Sequence, residues 1–133
     1  GEKLIIPLIC YEIIYSGKIK TKTQFPDLVI NISEDAWFGK SIGPHQHYAK
    51  AIYRAVEEGV FIARSANKGI SGFINPNGMS IKFLDRSESG NIEYKMPKFA
   101  GSTLYSEHGN KIFFLIILVY IFLIFILTKF KIS

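Results

Sequence analysis

Cysteine is nearly absent from this chain: Cys10 stands alone in 133 residues, so no internal disulfide can form and the redox compartment stays open. Tryptophan is equally scarce, represented by Trp37 only. No dense basic block with interleaved aromatics occurs. The net charge of +5 falls to +3 once Lys129 and Lys131 are set aside, too mild a balance to indicate a nucleic-acid partner. Metal-ligand clusters are missing as well. His45 and His47 lie two apart, which on a helix separates them by about 200°, and no Cys/His/Asp set completes a coordination shell. No metal and no cofactor is therefore expected. There is no internal repeat. Charge, finally, is lacking altogether from Ile112 to Leu127.

That uncharged run is extended by Thr128 to 17 residues and flanked by Lys111, Lys129 and Lys131. At about 1.5 Å per residue a helix of this length covers roughly 25 Å, short for a bilayer but sufficient if the lysines snorkel. A domain of some 110 residues has little interior in which to hide a helix that is apolar on every side. A secretory signal is excluded because such signals lie at the N-terminus. The run is thus expected to be a transmembrane helix within residues 109–133, leaving residues 1–108 as the folded domain. Two lysines after the run against one before it favour a cytoplasmic C-terminus, with the domain on the other side of the membrane. Lys18, Lys20 and Lys22 read as a solvated loop near anionic headgroups. Gly1-Glu2-Lys3 leads directly into an apolar strand without an initiator methionine, so the chain is expected to be the tail of a longer protein.

Along the domain, Leu4–Ile9 forms one short apolar run, Glu12–Ile19 has the length of a short helix, and Leu28–Ile32 reads as a covered strand after the turn Phe25-Pro26-Asp27. Ser33–Pro44 reads as a loop. From Pro44 onward, Tyr48, Ile52, Ala55, Val56 and Gly59 recur at helical spacing, with Lys50, Arg54, Glu57 and Glu58 largely opposite, predicting an amphipathic helix of about four turns. Phe61–Ala66, Ile70–Ile74, Met79–Leu84 and Ile92–Met96 follow as strands separated by turns at Asn67-Lys68-Gly69, Asn75-Pro76-Asn77-Gly78 and Ser87–Asn91. This order predicts an α/β layer, with parallel strands first and antiparallel strands last.

Two segments carry the chemistry. Cys10 follows an apolar strand and precedes Tyr11 and Glu12. Such a cysteine is either a small buried hydrophobe or a nucleophile lifted out of the sheet by a sharp turn. The second segment, Asn31 to His47, holds Trp37, two glycines and a proline just past another strand, where α/β folds collect ligand-binding groups.

The C-Y-E of residues 10–12, the N-I-S-x-D-A-W-F-G-K-S-I-G-P-x-Q-H of residues 31–47, the R-A-V-E-E-G of residues 54–59 and the R-S-A-N-K-G-I-S of residues 64–71 together resemble the carboxyl-terminal half of a nitrilase-superfamily (carbon–nitrogen hydrolase) domain. Within it they are similar to the bacterial apolipoprotein N-acyltransferase branch, whose terminal membrane helix soluble relatives lack. The resemblance implies part of an α-β-β-α sandwich and a two-step acyl transfer at the bacterial inner membrane, with the domain on the periplasmic side. Cys10 would attack a phospholipid ester to form a thioester, and the amine of a diacylglyceryl lipoprotein would take the acyl group. Tyr11 would lend its backbone N–H to the oxyanion, Glu12 would support the turn, and Trp37 and Phe38 would shape a substrate pocket. The same residues read without the resemblance are a packing tyrosine, a helix cap and a core plug. His45 stands where the family has an aromatic, and Glu34 where it has asparagine. The family's glutamate base and oxyanion lysine lie upstream of the cysteine and match nothing here, so the chain alone is expected to be inactive, with its other half supplied in the same chain or as a partner chain. An amidase of the same superfamily and an inactive tethered remnant are the alternatives.

Overall fold

Alternating apolar residues build a single five-stranded sheet in the computed structural model, which describes residues 3–17, 19, 24–97 and 101–132. Lys18, Lys20 and Lys22, read above as a solvated loop, lie outside the described residues. The strands β1 (Ile5–Ile9), β2 (Leu28–Glu34), β3 (Phe61–Asn67), β4 (Ser71–Ile74) and β5 (Ser80–Leu84) lie side by side in chain order. β1, β2 and β3 run parallel, and β4 and β5 return antiparallel, the arrangement expected from the element order. Pro7 is tolerated because β1 is an edge strand, where a missing ladder donor costs least.

Register decides which side chains meet. Ile6, Val29, Ile62 and Ile74 are level across four strands, and one step further Leu8, Asn31, Arg64 and Gly72 are level. Both rows point to the face covered by α1 (Gly43–Glu58), which packs Tyr48, Ala51 and Ala55 against them. Pro44 starts α1 where no intrahelical N–H is needed, and Gly59 stops it in the left-handed conformation, φ 66°. The residues between, on the opposite face of the sheet, leave Ile5, Ile9 and Ile32 about half exposed.

Three expectations need correction, and one element is new. Glu12–Ile19 is not a helix: a 3-10 turn spans Cys10–Ile14, drives Ile13 fully into the core, and Tyr15 is already extended. Ser33 and Glu34 belong to β2 rather than to a loop, because β3 is long enough to pair them with Ala66 and Asn67. Residues 92–96 form no strand. They dock by side chain instead, Tyr94 lying against Phe61 and Phe73. A short helix α2 (Leu104–His108), capped by the Thr103 hydroxyl accepting from the Ser106 N–H at 2.9 Å, carries too few residues to show a helical period.

α3 (Lys111–Ile132) follows at once, and its segment Lys111–Lys129 has mean hydropathy 2.9 with none of it buried. By length and composition it suffices to cross a membrane. α2 ties it to the domain: the Tyr105 hydroxyl is 2.7 Å from that of Ser16, which donates to Glu57 at 2.7 Å, and Glu57 pairs with Arg54.

Candidate active site

Cys10 begins where β1 ends, and its backbone has φ 48°, a left-handed value that costs a non-glycine residue about 1–2 kcal/mol. Such strain persists only where surrounding groups enforce it. Here they do so from both sides. The Glu12 carboxylate accepts the Ile9 N–H at 2.6 Å, closing the turn beneath the cysteine. The Asn31 amide donates to the carbonyls of Leu8 at 3.1 Å and Cys10 at 3.3 Å, one before the elbow and one on it. The elbow places a half-buried thiol at the carboxyl ends of the parallel strands, as the sequence reading expects of a nucleophile.

Behind the elbow lies a buried polar network. Asn31 and Asp35 are fully buried, and Arg64 and His47 nearly so. The Arg64 guanidinium donates to the Asn31 side-chain oxygen, which fixes the amide so that its NH2 faces the two carbonyls, and donates to Asp35 at 2.7 Å and to the Ile70 carbonyl at 3.3 Å. The other Asp35 oxygen accepts from the Ser33 hydroxyl at 2.7 Å and faces His47 Nδ1 at 2.9 Å. Arg64 Nη2 also stands 3.2 Å from that Nδ1, so Asp35, Arg64 and His47 meet at one point, while His47 Nε2 has no hydrogen-bond partner among the described residues. Burial alone would raise the Asp35 pKa, but Ser33, Arg64 and His47 together hold it below the ordinary value. Burial also pulls Arg64 below its ordinary value, with Asp35 opposing; it remains a cation. Gly69 is required beside this pair, since a Cβ there would stand 2.2 Å from an Asp35 oxygen.

The other residues singled out in the sequence are distributed around this core. The Tyr11 ring lies 5.4 Å from that of His47, and Phe38 covers His47 from 5.9 Å. Tyr11, Phe38, His47, Lys50 and Tyr53 line an open groove of about 400 Å³. Trp37 rests on Phe38 at 4.8 Å but is 69 % exposed and outside the groove lining. It is therefore no core plug. Glu12 holds its own turn, and Glu34, whose carboxylate is bound by Asn67 and the Ala36 N–H, lies below the ordinary carboxylate range for that reason. Among the described residues, Sγ of Cys10 is in reach of the Ser33 hydroxyl at 3.7 Å and the Glu34 carbonyl at 4.0 Å, and of no carboxylate.

Asn31, Ser33, Asp35 and Arg64 fall within the motifs quoted from the sequence but receive no individual role there, and His47 is considered individually only as a metal ligand. The signal was present. Asn31 alternates with Val29 on the covered face of an apolar strand, and Arg64 interrupts Phe61-Ile62-Ala63; polar groups at such positions must find partners.

The sequence is similar to those of known proteins. The carbon-nitrogen hydrolase family profile matches residues 3–102. The apolipoprotein N-acyltransferase of Rickettsia bellii is 46% identical over 121 residues, which are 90% of this chain and 24% of that protein. That of Rickettsia prowazekii is 43% identical over 107 residues, 80% of this chain and 22% of the relative, and that of Bradyrhizobium diazoefficiens 37% over 110, covering 83% and 20%. The chain thus spans less than a quarter of the length of these relatives. With a profile match over most of its length and a cysteine elbow in the matched region, the chain belongs to the carbon-nitrogen hydrolase family.

Proposed function

We propose that this chain is the nucleophile-bearing part of an apolipoprotein N-acyltransferase. The observation that carries the reading is the strained, doubly braced elbow at Cys10 in a chain whose relatives bear that name. The thiolate adds to the ester carbonyl of a phospholipid; the tetrahedral intermediate expels the lysophospholipid oxygen, which leaves with a proton, and a thioester remains on Cys10. The amine of a diacylglyceryl lipoprotein then adds to the thioester, loses its proton, and expels the thiolate as an amide forms. The Tyr11 N–H, first amide after the elbow, supplies one oxyanion donor, Glu12 holds the turn, and Phe38 forms the aromatic side of the acyl or amine pocket, with Trp37 resting on it from outside the groove lining.

In this reading residues 1–108 are half of an α-β-β-α sandwich. The exposed side of the sheet, with Ile5, Ile9 and Ile32, takes the second sheet from an upstream half that also brings the glutamate base and the lysine. Whether that half belongs to the same polypeptide or a partner chain, it completes the site. Residues 109–133 anchor the domain in the inner membrane, the domain periplasmic and the tail cytoplasmic. The direct test is intact-mass analysis of the chain with the upstream half supplied, after incubation with phospholipid alone: an acyl adduct on Cys10, released by hydroxylamine and discharged by a lipopeptide amine, is expected. Absence of any adduct at Cys10 while transfer proceeds would end the proposal.

The anchor makes a separate prediction. Deleting residues 112–133 is expected to move the rest of the chain out of the detergent-requiring fraction, since α3 is the one candidate span among the described residues. A reporter fused after Ser133 is expected to report from the cytoplasm. Its appearance outside would reverse the orientation drawn from Lys129 and Lys131.

A further inference from the structure

The Ser33 hydroxyl touches two groups, Asp35 at 2.7 Å and the Cys10 sulfur at 3.7 Å, but has one proton to give. Competition between them is unequal. The carboxylate is charged and close, and a hydrogen bond to an ionised acceptor is roughly twice as strong as one between neutral groups. A thiol sulfur is a weak acceptor and sits an ångström further away. Asp35 keeps its charge because Arg64 donates to it at 2.7 Å and His47 faces it at 2.9 Å. The hydroxyl proton therefore goes to Asp35, and the oxygen turns its lone pairs toward the sulfur.

We propose that Ser33 is a positioning residue for the nucleophile: locked by Asp35, it accepts the S–H of Cys10 and pins the thiol at the end of β2, its proton held until an external base removes it. The Glu34 carbonyl at 4.0 Å is a second acceptor on the same side. Register supports the placement, since Ile9, the last residue of β1, pairs with Ile32, and the residues that follow them are Cys10 at the start of the 3-10 turn and Ser33 on β2. No other element supplies Sγ with a donor among the described residues. From β3, the Arg64 guanidinium directs its hydrogen bonds to Asp35, Asn31 and the Ile70 carbonyl and stands 3.2 Å from His47 Nδ1, so it reaches Cys10 through its charge and not as a donor. From α1, His47 turns its Nδ1 to Asp35. From the 3-10 turn, Glu12 is bound to Ile9 and Tyr11 faces His47, while the Glu34 carboxylate on β2 is bound to Ala36 and Asn67. The idea takes from the acyl-transfer reading only that Cys10 must become a thiolate.

Because Cys10 is the sole cysteine, alkylation of the whole 133-residue chain by iodoacetamide in detergent reports on it alone. Ser33→Ala removes an acceptor that favours the thiol over the thiolate. The pH profile of alkylation is expected to move down by roughly half a unit, and the rate below the midpoint to rise about threefold, the size expected of one weak hydrogen bond. Ser33→Thr, which keeps the hydroxyl, is expected to restore the wild-type profile. A merely structural role for Ser33 would alter melting without moving the profile. The wild-type chain offers a check that needs no variant: its S–H stretching band is expected at the lowered frequency of a donating thiol. An unmoved profile, a profile moved to higher pH, or a free-thiol band would each overturn the proposal. None of these measurements involves lipid, so a chain that behaves as expected here yet never transfers an acyl group would count against the proposed function alone.

Discussion

Asp35→Ala is expected to lower the melting temperature of the domain by more than about ten degrees. Asp35 is the counter-charge of a guanidinium that is itself buried, and removing one partner of such a pair leaves an uncompensated ion, at a cost of about 3–5 kcal/mol. In a domain of this size each kcal/mol corresponds to roughly 4–8 °C. The loss is compounded because Asp35 also accepts from Ser33 and pairs with His47, so three elements lose a common anchor. Asp35→Leu combined with Arg64→Met is expected to recover part of the stability, since an apolar pair of similar volume avoids the desolvation that the ion pair must offset. A D35A chain that melted with the wild type would mean that Arg64 finds a different partner or reaches water.

Acid should act on the same pair. The folded-state pKa of Asp35 is depressed, so its contribution to stability is complete above the unfolded value near 4 and is lost as the pH falls through the lower folded value. Melting temperatures recorded between about pH 6 and pH 2 should drop in that low window, and D35N, which has no proton to take up there, should lack this component of the drop. Equal acid sensitivity in the two chains would assign the effect to other carboxylates.

Much of this arrangement was legible in the residues and some of it could not be. The strands and α1 follow from short apolar runs bounded by turns and from helical spacing in Tyr48, Ala55 and their neighbours. The uncharged run, apolar on every side, marked α3. The elbow was legible only through the family resemblance of the C-Y-E and Asn31–His47 motifs, since a cysteine after an apolar run reads equally well as a small buried hydrophobe. The length of β2 was hidden, since Ser33 and Glu34 have poor strand propensity and pair only because β3 extends to meet them. Residues 92–96 have a strand's composition but dock through Tyr94, a choice made by the aromatic faces of Phe61 and Phe73. The network fell between these cases. Asn31 and Arg64 announced themselves as polar residues on a covered face, but that they would meet each other depends on a pairing register that turns and loops set and local sequence does not display.

Cys10→Ala, in a protein with the upstream half restored, is expected to bring acyl transfer down by more than about four orders of magnitude, because a covalent route that loses its nucleophile retains only binding and electrostatic stabilisation. Cys10→Ser should fare little better, as an alcohol at its ordinary acidity is not activated by a site arranged for a thiol. The 133-residue chain by itself should show no measurable transfer for a complementary reason. It keeps the elbow, but the carboxylates around it are bound elsewhere: Glu12 and Glu34 to backbone and amide groups, and Asp35 to Ser33, His47 and Arg64. Loss of a general base costs about 10² to 10⁴ in rate and loss of one oxyanion donor about 10² to 10³, so their joint absence places turnover near background. Transfer assayed with labelled phospholipid and a lipopeptide acceptor separates the two causes. If C10A stays active with the upstream half present, the nucleophile is elsewhere; if the chain alone is active, a base lies within these residues, and Glu34, whose own carbonyl already faces the sulfur, is the first to substitute.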